Sequence, residues 1–289
     1  MPVAKNRKNT HPPVNWITPP DTDIRYLGFA DAVVRGRAAM DHILAEAGLR
    51  MTYLRDPNAI DELDQDSILA DLCDGEADSG QSIPLPISRL AYRALSDYDH
   101  LILASDRHTG QHMAILGASD GDTGREGFLL LETAFVASAA RGRAVIARMI
   151  ALALLRIASF GPVPQVIATA TGNPVWYRAL HKVAQRCTGA VFFPEPDSPA
   201  IRLDSAALAQ RIAREIGPNL RFETATGTLR GSLATAALRR SRPVSSDPRI
   251  DALFGQYLRP ADQMLAVIDL RGQTEGSILD DARRIFRAR

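Results

Sequence analysis

Gly127-Phe128-Leu129-Leu130-Leu131-Glu132-Thr133-Ala134-Phe135-Val136, followed by Ala137-Ser138-Ala139-Ala140-Arg141-Gly142-Arg143-Ala144, is the stretch whose reading decides the fold. The first ten residues are apolar and β-prone apart from Glu132 and Thr133, so they read as a strand. Ala137–Ala140 crosses over, and Arg141-Gly142-Arg143-Ala144 opens a helix over 144–159. That helix is apolar almost all round, with Val145, Ile146, Met149, Ile150, Leu152, Leu154, Leu155 and Ile157, and is therefore expected to be buried on most sides. The first turn of a helix has N–H groups without intrahelical partners and the positive end of the macrodipole. A glycine there lets the main chain approach a bulky anion, and Arg141 and Arg143 add charge. Together these make a physical recipe for a pyrophosphate cradle. Neither the P-loop pattern GxxxxGK[ST] nor the Rossmann pattern GxGxxG is present.

Downstream, Gly161-Pro162 ends the helix, Gln165–Thr171 reads as a strand, and Pro174–Val183 as a short helix. Asn173 and Tyr177 are four residues apart, so both fall on one face at its start. Ala190–Phe193 is a strand fragment. Upstream, His100–Ser105 and His112–Ala118 form a hairpin around Asp106–Gly110. Met51–Leu54 is a short strand, and residues 28–48 have the apolar spacing of an amphipathic helix stopped by Gly48. Residues 1–20 are punctuated by Pro12-Pro13 and Pro19-Pro20 and read as a tail. Between Asp56 and Ser88 nine acids occur without a single Lys or Arg, while Ile60, Leu63, Ile68, Leu69 and Leu72 form a stripe. This predicts an acidic-faced helix there, and Ile87–Leu95 begins another helical stretch. After the Pro-rich boundary at 194–199 come a helix over 205–216 and an Arg-rich segment over 225–249. A short helix over 251–257, a strand over 264–270 and a last helix over 278–287 follow.

The order hairpin, strand, glycine-headed helix, strand, short helix resembles the GNAT superfamily of acetyl-CoA-dependent acyltransferases. The resemblance is carried by 127–136, the Val136 to Ala144 element, 165–171 and the Asn173/Tyr177 helix. Ala144 fits the last position of the family's motif; Ala139 stands where the family has Gln or Arg. The resemblance implies a mixed α/β (α+β) fold, a central sheet with flanking helices in which strands 127–136 and 165–171 run parallel and splay apart. The domain would span 51–271, with an insertion at about 197–258. Residues 1–50 would be a tail and extra helix, and 272–289 a C-terminal helix. It implies that main-chain groups of Val136 and Ser138 bind the pantetheine arm of acetyl-CoA. It also implies that N–H groups of Arg141, Gly142, Arg143 and Ala144 take the pyrophosphate, and that Asn173 touches the thiol end. Tyr177 matches the family's general acid.

Acyl transfer to an amine needs a base as well as an acid. Glu132 is the carboxylate in an otherwise apolar strand, and period two sets residues 130, 132, 134 and 136 on one face, which suits a general base. The expected activity is thus transfer of an acetyl group to an amine of a small molecule or peptide, directly and without a nucleophilic cysteine. A non-catalytic acyl-CoA-binding module and a longer-chain acyltransferase, as in acyl-homoserine-lactone synthases, are the alternatives; a homodimer stays open. His181 is expected to be partly exposed, and His108 and His112 to be solvated.

Composition narrows the classes. At 289 residues the chain holds one large domain or two modest ones. A net charge of +1 argues against a nucleic-acid coat. Cys73 and Cys187 have no ligand spacing, so no metal is expected, and two thiols suit a reducing cytoplasm. The most apolar run, Met149–Leu155, is too short for a membrane span.

Overall fold

The computed structural model describes residues 40–44, 48–55, 57, 60, 62–77, 95–196, 203–232 and 243–288. The strands are β1 (Met40–Leu44), β2 (Leu49–Arg55), β3 (His100–Asp106), β4 (His112–Asp122), β5 (Gly127–Val136), β6 (Val166–Thr171), β7 (Val191–Phe193), β8 (Arg221–Glu223), β9 (Thr228–Arg230) and β10 (Gln263–Asp269). The helices are α1 (Glu62–Ala77), α2 (Val145–Ile157), α3 (Pro174–Arg186), α4 (Leu203–Ile216), α5 (Pro248–Tyr257) and α6 (Glu275–Arg287). The strands form one sheet in the order β1-β2-β3-β4-β5-β6-β10-β9-β8, with β7 also paired to β10. Every pairing is antiparallel except β5 with β6. This is the mixed sheet with one parallel joint that the resemblance implies.

Alternation along the strands sends apolar side chains to both faces, so both need cover. Tyr53, Ile102, Ala104, Leu116, Leu129, Ile167 and Ile268 pack on one face beneath α2, α3, α5 and α6. On the other face two separate clusters form. Ile68 and Leu72 of α1 cover Leu54, Leu101, Leu103, Ile115 and Phe135. Ala206, Leu208, Ala209, Ile212 and Ala213 of α4 cover Phe128, Val166, Ala168, Leu265 and Val267. The expected burial of α2 on most sides holds, since it lies between the sheet and α6.

One expectation changes. Residues 40–44 form β1, paired antiparallel with Leu49–Tyr53 across a turn in which Gly48 has φ +65°, rather than the end of a helix over 28–48. The open edge of β2 provides a ladder for their backbone groups, and that pairing overrides the helical spacing. Residues 1–39 lie outside the described residues, as does the helical stretch expected from 87 up to Leu95, which itself begins a short 3₁₀ turn over Leu95–Asp97. The segment 197–258 is built into the core where it is described: β8 and β9 extend the sheet beyond β10, and α5 buries Ile250 and Phe254 completely.

Candidate active site

The joint between β5 and β6 is short. Leu129 pairs with Ile167 and Leu130 with Ala168, and there the parallel ladder ends. At its end Thr169 Oγ1 donates to the Leu131 carbonyl at 2.7 Å and accepts from Trp176 Nε1 at 3.2 Å. The Thr169 hydroxyl thus takes a carbonyl that the ladder would otherwise use, and the strands separate beyond it. Two pairs of residues hold the edges together; past them β5 runs on through Val136 against β4 alone.

The head of α2 follows directly. Ser138–Ala140 make a 3₁₀ turn, closed by Arg141 N–H donating to the Ser138 carbonyl at 3.1 Å. Gly142 then has φ +82° and Ala144 φ +53°, both in the left-handed region that L side chains rarely adopt. The two left-handed residues turn the chain sharply into α2, whose first-turn N–H groups have no intrahelical acceptors. Arg141, Gly142, Arg143 and Ala144 are all exposed, and a Cβ built on Gly142 meets nothing within 4 Å. An open turn of two arginines at a helix N-terminus fits a polyanion. The Arg141 Nε–H donates to the Val136 carbonyl at 3.1 Å, so that carbonyl is held by its own chain.

Glu132 is where the strand pattern breaks. Gly117 pairs with Thr133 and Ala118 with Leu131, which leaves Glu132 as the extra residue of a β-bulge. The bulge re-phases the strand. Ala134 and Val136 pack on the α2 face with Leu129 and Leu131, not on the face of Leu130 as period two alone predicts. Glu132 itself is exposed and accepts from Ser119 Oγ at 2.5 Å. Ser119 sits opposite Leu130 in the register, on the α4 side of the sheet. Glu132 therefore lies on the face where, among the described residues, the α1 and α4 clusters remain separate.

Tyr177, expected as the general acid, sits in the first turn of α3. It is completely buried, donates its hydroxyl to the Pro194 carbonyl, and meets the Phe192 and Phe254 rings edge-on at 5.1 and 5.2 Å. A phenol held in that way is packed into the core and not open to the cleft. The reason is α5, which brings Phe254 over the start of α3. Asn173 caps α3, its side chain accepting from Val175 N–H at 3.0 Å. His181 is buried rather than partly exposed; it lies 5.0 Å from the Phe192 ring and 3.5 Å from Glu195. His112 is bound through both its backbone and its ring to Asp71 at 2.9 Å, while His108 is exposed.

Sequence reasoning passed over Tyr98, Ser119, Thr133 and Thr169. The polar pair Glu132-Thr133 inside an apolar strand is the visible signal for Thr133. Tyr98 Oη lies 2.6 Å from Thr133 Oγ1. Of the Arg-rich segment, Arg230 is held by Glu223 and Asp262, whose hydrogen bonds raise its pKa further. Arg249 pairs with Asp247, and its hydrogen bond lowers the Asp247 carboxyl to about 2. Burial, together with the charge of Asp281, pushes the Cys187 thiol up to about 11, which keeps it protonated and inert at neutral pH. Among the described residues no group of three or more His, Cys, Asp and Glu could hold a metal ion. None of their helices is long and apolar enough to cross a membrane.

No family model and no curated protein matches the chain. Among solved structures it is similar to diaminobutyrate acetyltransferase EctA from Paenibacillus lautus, in complex with L-2,4-diaminobutyric acid and coenzyme A. That match has 18% identity and a TM-score of 0.33, over 49% of this chain and 80% of the other. It is also similar to the NatC complex bound to Gag peptide and CoA, at 14% identity and a TM-score of 0.33, over 46% and 82%. Likeness of that size carries no argument about family or activity, so the fold rests on the strand order and the two-pair parallel joint described above.

Proposed function

We propose that the chain is an N-acetyltransferase that moves an acetyl group from acetyl-CoA to an amine by direct transfer. The observation that carries this is the joint of β5 and β6: one parallel ladder, two pairs long, opening toward the left-handed turn at the head of α2. An extended amide-bearing arm bonds like an added strand to an edge whose own ladder has ended. On this reading Val136 and Ser138 bond that arm through the main chain, and Val136 exchanges its Arg141 partner for it. Arg141, Gly142, Arg143 and Ala144 take the pyrophosphate, and Asn173 borders the thiol end. The acyl group supplies an electrophilic carbon; the amine nitrogen bonds to it and its C–S bond breaks. Glu132, at the bulge and open to solvent, takes the amine's proton. The acceptor is an amine of a small molecule or a peptide.

The burial of the Tyr177 phenol favours a second reading, a module that binds acyl-CoA without turnover. Titration calorimetry with acetyl-CoA separates both from a wrong assignment. Binding with micromolar or better affinity is expected, and Gly142→Val should weaken it at least tenfold, because a β-branched residue resists φ +82°. No binding at millimolar acetyl-CoA overturns both readings. Binding without acetylation of any amine in a broad panel leaves the non-catalytic module. With turnover, Glu132→Gln should lower kcat on the order of 10²-fold.

A further inference from the structure

The burial of Tyr177 leaves the departing sulfur without its expected proton source, and the structure brings other hydroxyls to the bulge. Tyr98 lies between the 3₁₀ turn at Leu95–Asp97 and β3, and is 3% exposed. Its ring crosses β4 over Gly117: a Cβ there would come within 2.7 Å of Tyr98 Cε1. Only a glycine at 117 lets the ring lie this close to the sheet. Gly117 is the residue paired with Thr133, so the phenol passes over one strand and reaches the next. There its oxygen is 2.6 Å from Thr133 Oγ1, and Thr133 is half-buried. Thr133 directly follows the bulged Glu132, on the part of β5 that has already parted from β6. A buried phenol is thus tied by a short hydrogen bond to a hydroxyl beside the carboxylate, at the opening of the cleft.

We propose that Thr133 is the proton donor to the leaving thiolate and that Tyr98 is its positioning residue and proton source. This assignment rests on the acyl-transfer reading above. As the nitrogen–carbon bond forms and the C–S bond breaks, Glu132 receives the amine's proton. The sulfur receives the Thr133 hydroxyl proton and Thr133 takes the Tyr98 proton; after the products leave, a solvent proton returns to Tyr98 through the Thr133 hydroxyl. Glu132 releases its proton to solvent, and the cycle balances. The polar pair Glu132-Thr133 then has one function at each position, base and acid.

The test uses the full chain, acetyl-CoA and the best amine found in the panel. Tyr98→Phe keeps the ring over Gly117 and removes the hydroxyl; Thr133→Val keeps the shape of Thr133. Each should lower kcat on the order of 10²-fold while the KM for acetyl-CoA moves less than threefold. Thr133→Ser should restore most of the rate. Replacing acetyl-CoA by the acetyl ester of an aryl thiol should shrink both defects to less than threefold, because an aryl thiolate leaves without a proton. A structural role for the pair predicts the same defect with both donors. Wild-type turnover with Tyr98→Phe and Thr133→Val unimpaired, or impaired equally with both donors, overturns this assignment alone. Absence of wild-type turnover over the whole panel removes the acyl-transfer reading, and this one with it.

Discussion

Tyr177 donates its hydroxyl to the Pro194 carbonyl at the bottom of a cage formed by Phe192 and Phe254. Removing that hydroxyl leaves a buried carbonyl without its donor, which costs about 1–3 kcal/mol. Tyr177→Phe should therefore lower the denaturant midpoint at an unchanged slope, while kcat for acetyl transfer stays within threefold of wild type. A hundredfold loss of kcat at unaltered stability would return the phenol to the chemistry. Thr169 contrasts with it. Both are hydroxyls on buried side chains, but Thr169 bonds to the Leu131 carbonyl at the point where a ladder stops, so its place is set by the fork it caps. The role expected of Tyr177 rests on spacing alone. Spacing carries no information about α5, whose Phe254 closes over it from more than seventy residues away in the chain.

Elements were legible where one pattern dominated. The apolar runs of β3, β5, β6 and β10, and the almost wholly apolar α2, each announce themselves. So does the acidic α1, on the stripe Ile68, Leu69 and Leu72. Three kinds of detail were hidden. The bulge at Glu132 adds one residue and reverses the faces beyond it, a change that alternation cannot reveal. The three-residue strands β8 and β9 are too short for a period and sit among Thr, Gly and Arg. β1 reads as helix until its neighbour's edge is known. Connections between elements were equally hidden, and Glu126 is the clearest case. It precedes β5, and it accepts from Arg211 of α4 at 2.9 Å and from Arg271, just beyond β10, at 2.9 Å. Burial raises its pKa, but hydrogen bonds from Thr123 and Arg211 and the charges of Arg211 and Arg271 outweigh it, and the net shift is downward from 4.5. A carboxyl lowered on folding contributes stability that is full above its unfolded value and is lost as pH falls through the folded one. The wild-type chain should therefore lose stability to urea as pH drops below about 4.5, and Glu126→Gln should be less stable at pH 7 with a flatter decline over that window. Equal slopes for the two proteins would show that Glu126 does not couple these elements.

The whole molecule is organised around one layer. Described parts of 197–258 contribute strands to the sheet and side chains to both faces, so this region is expected to unfold with the rest rather than as a separate unit. Phe254, fully buried against Tyr177, tests this. Phe254→Ala should cost about 3–5 kcal/mol and shift a single, shared transition followed by circular dichroism and by fluorescence. Two separated transitions would show that the late region folds on its own. At this scale the net charge of +1 conceals an uneven distribution: an acidic run enters before β3, while Arg230 and Arg249 beyond it are paired with acids.

The two-pair joint has a mechanical meaning as well. β1–β5 form one antiparallel leaf and β6–β10 another, and backbone bonding between them is confined to Leu129–Ile167 and Leu130–Ala168. Side chains of α2 and α3 bridge the seam from one face and those of α4 from the other, and the Thr169 hydroxyl adds one bond to the Leu131 carbonyl, yet the backbone ladder between the leaves is only two pairs long. Whatever lies in the fork acts as a second stitch. It lengthens a two-pair ladder, so stiffness along the sheet and occupancy of the fork rise together.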